Sequence, residues 1–280
     1  MRQPIVTLTT DFGLADHFVG AMKGVLLSIA PRARIVDISH EIAPYAVSEA
    51  AFVLSQAYGC FPPGTVHVAV VDPGVGSERR ALLVEAAGQR FVAPDNGVLS
   101  MIYAREKHRV RAITAERYFR LPVSQTFHGR DVFAPVAAHL TRGTPPARFG
   151  RTISEYVRGD FARPVLSGKS RWTGAVLKVD RFGNLITNFP AAGYAGLRTG
   201  GFEMRTGGRR VSTCLPSYAE GRQGELFVIA GSSGFLEIAT NQGSAAKLTG
   251  SAAGGVVQLI LGPAYTVGNG DSSKIEKENR

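Results

Sequence analysis

Residues 5–38 read IVTLTTDFGLADHFVGAMKGVLLSIAPRARIVDI, and this stretch decides the fold class of the first half of the chain. The β-rich run Ile5–Thr9 is followed by Asp16–Ala30, where apolar residues recur at helical spacing and Asp16 is the predicted N-cap. Arg34–Ile38 then predicts a second strand. A strand, a helix and a strand in succession indicate a parallel sheet covered by helices.

The alternation of strands and helices continues to residue 72. Val47–Tyr58 predicts a second helix, and Val66–Val71 is an unbroken apolar run that suits a strand buried on both faces. Residues 142–171 are rich in Arg, Gly, Pro and Ser, and the chain beyond them alternates short β-rich runs with glycine clusters. This change of pattern indicates a second domain of a different class.

We therefore predict two domains. Residues 1–150 form an α/β domain with a central, mostly parallel sheet between helices, and residues 151–171 form a linker. Residues 172–265 form a small all-β, barrel-like domain, and the polar residues 266–280 form a disordered tail.

Composition narrows the classes of function. The formal net charge is +10, but the basic residues are scattered, so we expect no nucleic-acid partner. No apolar stretch approaches the roughly 20 residues that a spanning helix needs, and the N-terminus lacks an apolar leader, so we expect a cytoplasmic protein without a membrane partner. Cys60 and Cys214 form no CxxC pair, and the six histidines show no metal-ligand spacing, so we expect neither a disulfide nor a metal site.

Two carboxylates follow predicted strands. Asp11 comes after the first strand and Asp72 after Val66–Val71. Because ligands of open α/β sheets bind beyond the carboxyl ends of the strands, these side chains are candidates for a shared pocket. A carboxylate at a strand end is also a common turn cap, and the residues alone leave both interpretations open.

The turn after Asp72 reads DPGVG and contains a GxG pattern. Arg79 stands where a dinucleotide fingerprint needs its third glycine, and the residues that follow predict a strand rather than a helix. The turn is therefore not a dinucleotide-binding motif. What remains is a rigid turn that brings Asp72 near Arg79, either as part of a site or as a loop salt bridge.

His128 lies in the sequence FHGRD, where a loop enters a predicted helix. A lone histidine there is compatible with a catalytic or a structural role. No GxSxG elbow or cysteine nucleophile signature accompanies it. In the second domain, the turns that contain Asp180 and Asn184, and later Ser232 and Ser233, are explained equally well by hairpin chemistry.

Seven segments together resemble one enzyme family. They are TDFG (10–13), VDISHEIAPY (36–45), FPPGTVHVAVVDPGVGSERR (61–80), APDNGVLS (93–100), FHGRDVFAPVAA (127–138), DRFGNLITN (180–188) and SSGFLEIATNQGSAA (232–246). In this order they resemble the S-adenosylmethionine hydroxide adenosyltransferases, the hydrolase relatives of the fluorinase and chlorinase enzymes. The resemblance covers nearly the whole chain from residue 5 to about residue 262.

The resemblance implies a homotrimer that binds S-adenosylmethionine between the large domain of one subunit and the small domain of its neighbour. It places the catalytic roles on Asp72, Arg79 and His128, and the ribose-binding carboxylate on Asp11. It also implies a further set of substrate-binding residues, namely Tyr45, Phe127, Asp180, Asn184, Tyr218, Ser232, Ser233 and Glu237.

The activity that the resemblance implies is hydrolysis of S-adenosylmethionine at C5′ by activated water, giving adenosine and methionine without a metal or cofactor. Fluorinases carry an inserted loop in the large domain, whereas the stretch between Ala93 and Phe127 is short, and position 128 is His as in the hydrolase group. Both features argue against a halogenase. Two alternatives stay open: a halide-using, chlorinase-like adenosyltransferase, and a protein that binds S-adenosylmethionine or adenosine without turnover.

Overall fold

The structure is a computed structural model that describes residues 3–199 and 201–262. The chain divides into two compact units, Met1–Gly159 and Asp160–Arg280. The predicted tail, residues 266–280, lies outside the described residues. Within the described ranges, no helix combines the length and apolar character needed to cross a membrane.

The first unit is built on a seven-stranded sheet. Its strands are β1 (Ile5–Thr10), β2 (Arg34–Ser39), β3 (Val66–Val70), β4 (Ala81–Ala86), β5 (Gln89–Pro94), β6 (His108–Ala112) and β7 (Thr152–Ile153). Its helices are α1 (Phe18–Ile29), α2 (Val47–Ala57), α3 (Ser100–Arg105) and α4 (Ala134–Thr141). The strand order is β2-β1-β3-β5-β4-β6-β7.

The sheet is mixed, so the prediction of a mostly parallel sheet was wrong in that detail. Strands β2, β1, β3 and β5 are parallel to one another, whereas β4, β6 and β7 join in antiparallel pairs. The direction changes at the β4–β5 hairpin, where Ala87 and Gly88 both have positive φ, 52° and 71°. Two such residues form the tight turn that suits the twist of antiparallel strands.

The predicted placement of the sheet between helices is confirmed. On one face, Val68 and Val70 of β3 belong to the apolar cluster that includes α1 and α4 residues such as Met22 and Val136. On the other face, Ala69 belongs to a second cluster that includes residues of α2 and α3. Alternate side chains of a strand point to opposite faces, so a strand covered on both sides must be apolar throughout.

The start of α1 differs from the prediction. The helix begins at Phe18, and its N-cap is His17, whose side chain makes no capping hydrogen bond. Asp16 therefore does not cap it. The burial of Val19, Met22 and Leu26 against the sheet stabilises this helix instead of a side-chain cap.

The second unit contains eight strands that pair antiparallel throughout. They are β8 (Val165–Leu166), β9 (Arg171–Val179), β10 (Leu185–Pro190), β11 (Phe202–Thr206), β12 (Arg209–Val211), β13 (Phe227–Ala230), β14 (Phe235–Ala239) and β15 (Val256–Leu261), with the short helix α5 (Ala245–Thr249). Along the order β12-β11-β15-β9-β10-β14-β13, every strand contributes to one apolar cluster. A sheet whose strands all contribute to one apolar cluster is the barrel-like arrangement that the sequence predicts.

Residues 151–171, the predicted linker, carry a short strand on each side of the unit boundary. β7 pairs with β6 in the first unit, and β8 pairs with β9 in the second. The division at Gly159 and Asp160 falls between these two strands.

Candidate active site

Asp11 and Asp72 lie at the same edge of the first unit's sheet. Asp11 directly follows β1, and Asp72 follows β3 after one intervening residue. Since β1 and β3 are parallel neighbours, their carboxyl ends meet. Burial raises the pKa of the Asp11 carboxyl, and the negative charge of Asp72 raises it further.

The turn that presents Asp11 is tied to the loop after β2. An Asp11 oxygen, Oδ2, accepts a hydrogen bond from the backbone N–H of Tyr45 at 2.9 Å. The Thr10 hydroxyl lies 2.8 Å from Nδ1 of His40, and the backbone N–H of Gly13 donates to the His40 carbonyl at 2.8 Å. Asp11 is therefore held by its neighbours on both sides. Tyr45 itself is 71% exposed.

Arg79 stands at the centre of a hydrogen-bonded set. Its Nε donates to Asp72 Oδ1 at 2.9 Å and its Nη2 to Asp72 Oδ2 at 2.5 Å. The same Nη2 lies 2.7 Å from Nδ1 of His128. The ring of Phe133 lies under the guanidinium, 5.4 Å from its carbon to the ring centroid. The two side chains of the ion pair are only 10% and 5% exposed, so water screens their charges weakly.

The protonation of His128 follows from this geometry. A guanidinium only donates hydrogen bonds, so Nδ1 of His128 must accept and carries no proton in this arrangement. Partial burial lowers the pKa of the imidazole, and the positive charge of Arg79 lowers it further. Both effects favour a neutral imidazole with its proton on Nε2.

Two features hold the loop that precedes His128. Gly76 has φ +79°, and a β-carbon there would collide with the carbonyl oxygen of Gln125, so only glycine allows this approach. The fully buried carboxylate of Asp131 accepts from Arg130 Nε at 2.7 Å and from the backbone N–H of Ser124 at 3.0 Å. Asp131 lies inside the FHGRD segment, but no sequence pattern predicts its contacts to Ser124 and Arg130.

Phe127 lies in the core rather than on the surface of the site. Only 6% of it is exposed, and it packs edge-to-face against Phe12 and Phe18 with ring centroids 6.0 and 5.0 Å apart. The guanidinium of Arg130 lies 5.1 Å from its ring centroid. Phe127 thus supports the backbone from which His128 projects.

The second unit brings several of the other predicted residues together. Asp180 accepts hydrogen bonds from the backbone N–H groups of Phe182 and Asn184, both at 2.9 Å, and from the side-chain amide of Asn184 at 2.9 Å. These contacts stabilise the turn itself. They leave the ring of Phe182, 77% exposed, at the tip.

Tyr218 and Glu237 form a second pair near this turn. The Tyr218 hydroxyl donates to Glu237 Oε2 at 2.6 Å. Burial and the neighbouring Asp180 charge raise the pKa of the Glu237 carboxyl, which places the two acidic side chains in one polar cluster. Ser232 and Ser233 lie in the turn between β13 and β14, beside Gly231, where a β-carbon would collide with the Glu237 carboxylate.

Metal-ligating side chains do not converge in the part of the chain that the structure describes. Across it, no group of three or more His, Cys, Asp or Glu side chains could hold a metal ion. The polar groups that do converge are an ion pair, an imidazole and single carboxylates.

Two family models match the chain, one on each unit and in the same order. SAM hydroxide adenosyltransferase N-terminal domain matches residues 6–150, and SAM hydroxide adenosyltransferase C-terminal domain matches residues 174–258. The chain belongs to the SAM hydroxide adenosyltransferase family.

Several relatives are similar to this chain over nearly the whole length of both proteins. The chain is 39% identical to the (R)-S-adenosyl-L-methionine hydrolase of Salinispora tropica, with 92% of this chain and 98% of that protein covered. It is 38% identical to the hydrolase of the same name from Thermus thermophilus, with 91% and 99% covered. A fluorinase of Nocardia brasiliensis is 28% identical, with 93% and 98% covered.

The fold is also found among solved structures. A crystal structure of an uncharacterized conserved protein from Thermotoga maritima matches with a TM-score of 0.81 and 38% identity, covering 91% of this chain and 99% of that one.

Proposed function

We propose that this protein hydrolyses S-adenosylmethionine at C5′, giving adenosine and methionine. The observation that carries the proposal is the hydrogen-bonded set of Asp72, Arg79 and His128 at a sheet edge, in a chain of this family. The relatives named as (R)-S-adenosyl-L-methionine hydrolases are 38–39% identical, whereas a fluorinase is 28% identical. The comparison therefore favours hydrolysis over halide transfer.

The reaction needs help with the nucleophile rather than with the leaving group. The sulfonium leaves as a neutral thioether, so no acid has to protonate it. Water is a poor nucleophile, and hydroxide is scarce at neutral pH. An anionic oxygen loses charge as it meets the sulfonium, so a pocket that excludes water favours the transition state over the separated charges.

Arg79 is the residue suited to hold that oxygen. Its Nε and Nη2 are used by Asp72 and His128. Within the described residues, no protein acceptor is bonded to Nη1, so its two N–H groups are available to a water or hydroxide. A guanidinium stays protonated and cannot act as a base, so its contribution is electrostatic.

The role of Asp72 and His128 is to fix that guanidinium. The bidentate carboxylate sets its plane, and the imidazole Nδ1 accepts from its Nη2. His128 can take a proton at Nδ1 only when this hydrogen bond is exchanged for one from water. The proton that water loses leaves either by that exchange or directly to solvent.

The substrate-binding roles belong to the same proposal. Asp11 would accept hydrogen bonds from the ribose hydroxyls, with Tyr45 against the nucleoside. The polar cluster of the second unit would hold adenine and the methionine part, through Asp180, Asn184, Tyr218, Ser232, Ser233 and Glu237. We infer a homotrimer in which two subunits complete each site, because each unit carries its own set of polar turns. Light scattering that shows an active monomer would contradict the trimer.

One experiment separates the candidate functions. Purified full-length protein is incubated with S-adenosylmethionine, with and without a large excess of chloride and with and without a chelator, and the products are separated by chromatography. Hydrolysis predicts adenosine and methionine in all four conditions. A chlorinated nucleoside would favour a halide-using transferase. Substrate that binds but is not converted would favour a binding protein. Loss of activity in the presence of chelator would contradict a metal-independent enzyme.

A further inference from the structure

Strand β5 separates the two members of the ion pair. β3, which leads to Asp72, lies on one side of β5, and β4, which follows Arg79, lies on the other. β3 runs parallel to β5 and β4 antiparallel, so the end of β3 and the start of β4 meet the end of β5 at one edge. The residues directly after β5 are Asp95 and Asn96.

Asn96 holds the Asp72 side. Its amide Nδ2 donates to the carbonyl of Val71 at 2.8 Å, and its Oδ1 accepts from the backbone N–H of Val98 at 3.2 Å. The Val71 carbonyl belongs to the peptide that leads directly into Asp72, and Val71 is fully buried. Both the Nδ2 and the Oδ1 atoms of the Asn96 side chain are thus hydrogen-bonded, and the bond from Nδ2 fixes the backbone at the end of β3.

Asp95 holds the Arg79 side. One of its oxygens, Oδ2, accepts from Nε and Nη2 of Arg80 at 2.8 and 2.6 Å, and its backbone N–H donates to the Arg80 carbonyl at 2.9 Å. Its other oxygen accepts from the backbone N–H of Val157 at 2.8 Å. The Asp95 side chain is only 3% exposed, so its charge is satisfied by donors that the fold supplies. Arg80 is the residue next to Arg79.

We propose that Asp95 and Asn96 are positioning residues that set the distance and angle between Asp72 and Arg79. These two consecutive residues at the end of β5 hold both the backbone that leads into Asp72 and the residue next to Arg79. Neither the Asp95 nor the Asn96 side chain is itself bonded to Asp72, Arg79 or His128. A displacement of about 1 Å in a reacting group can cost on the order of a hundredfold in rate. The inference rests on the proposed function, in which Arg79 acts on water.

The first test is the variant Asn96→Ala in the full-length protein. The donor to Val71 is lost, so Asp72 and Arg79 drift relative to each other. We expect kcat to fall by about tenfold or more while KM for S-adenosylmethionine changes by less than about twofold, because the set acts on water rather than on the nucleoside. Asp95→Asn, which keeps the side-chain shape but removes the charge, should act in the same direction.

Gln89→Leu is the matched control. Gln89 begins β5, is buried, and donates from its amide to the Tyr58 and Phe61 carbonyls at 3.1 and 2.8 Å. Like Asn96→Ala, this variant removes a buried amide-to-carbonyl contact of β5, but at the opposite end of the strand. It should lower Tm and leave kcat unchanged. Equal losses of kcat in the two variants would show that Asn96 contributes to stability in general and does not position the ion pair.

A second test measures the position of Arg79 through the pKa of His128, without an activity assay. Arg79 lowers the pKa of His128, so a displaced Arg79 should let that pKa rise toward its ordinary value. Nuclear magnetic resonance titration of His128 should show this rise in Asn96→Ala and Asp95→Asn, and not in Gln89→Leu. An unchanged titration together with an unchanged kcat would overturn the positioning role. A wild-type protein that makes no adenosine would contradict the proposed function, while the titration would still decide whether Asp95 and Asn96 hold the pair.

Discussion

Nη2 of Arg79 lies 2.7 Å from Nδ1 of His128 and 2.5 Å from Oδ2 of Asp72, so one nitrogen joins three side chains into a single unit. Its two protons are directed to two acceptors, one anionic and one neutral. The remaining polar edge of the guanidinium, at Nη1, is the part of the unit left to meet a ligand. Three predictions concern this unit of Asp72, Arg79 and His128.

Arg79→Ala should lower turnover about a hundredfold to a thousandfold and leave substrate binding nearly intact, because a preorganised donor that acts on water contributes mainly in the transition state. Arg79→Lys should also be impaired, since one ammonium cannot replace a planar fork held by Asp72. Single-turnover kinetics and calorimetric binding of S-adenosylmethionine measure the two effects separately. If turnover, binding and Tm fell together, Arg79 would be a structural ion-pair partner.

His128→Asn should retain much more activity than His128→Ala. An asparagine oxygen can lie where Nδ1 accepts from Arg79, but it takes no proton near neutral pH. Equal and complete losses in the two variants would instead indicate that His128 is a general base. Combined with Arg79→Ala, either variant should be little worse than Arg79→Ala alone, because the residues act as one unit.

The pH dependence of turnover should follow the same imidazole. Burial and Arg79 lower the pKa of His128, so the neutral form persists below the ordinary value of 6.5. Protonation at Nδ1 would remove the acceptor for Arg79 and add a repelling charge. The acid limb of kcat should therefore have its midpoint below pH 6.5 in the wild type and be absent in His128→Asn. An acid limb that survives in that variant would belong to another group.

The parts of the fold that depend on local periodicity could be predicted from the sequence. β3 was recognised because a strand buried on both faces is apolar at every position. β6 was missed because only alternate side chains are buried there, and Arg109 and Arg111 interrupt the apolar pattern. The mixed direction of the sheet begins at the β4–β5 hairpin, but the places of β6 and β7 depend on pairing with strands that no local pattern identifies.

The candidate site likewise has features that the sequence predicts and features that it does not. A shared sheet edge for Asp11 and Asp72 followed from strand ends alone, and the structure places both there. The contact between Arg79 and His128 joins residues 49 positions apart, so spacing could not reveal it. Asn96 bonds to the Val71 carbonyl at the end of β3, 25 positions away, so sequence spacing could not reveal this contact either.

Asp11→Ala should weaken substrate binding more than it slows the chemical step. A carboxylate can accept from both ribose hydroxyls, and charge-assisted hydrogen bonds contribute about 1.5–3 kcal/mol each. Losing one such bond corresponds to roughly 10- to 100-fold weaker binding. The variant also loses the contact to the Tyr45 backbone, so Tm should be measured beside calorimetric affinity. An unchanged affinity would leave Asp11 as a turn cap.

The last prediction concerns acid stability and the fully buried His67. Its Nδ1 lies 2.8 Å from the Thr7 hydroxyl, its Nε2 lies 3.1 Å from Gln89 Oε1, and its ring stacks on Phe91. Burial lowers the pKa of His67 from 6.5 to about 4. The unfolded chain therefore binds a proton at a higher pH than the folded one does, and stability that is complete above pH 6.5 is lost as the pH falls through about 4.

A shift of this size corresponds to roughly 3 kcal/mol of unfolding free energy, on the order of 1.4 kcal/mol for each pH unit between the two pKa values. Denaturant unfolding at several pH values between 8 and 4 should show a plateau and then a decline in the wild type. His67→Gln, which cannot take up the proton, should be less stable at neutral pH but decline less steeply. His17→Gln, which removes an exposed imidazole, controls for the loss of one histidine. If the wild type and His67→Gln declined with the same slope, the acid sensitivity would come from groups other than the buried imidazole.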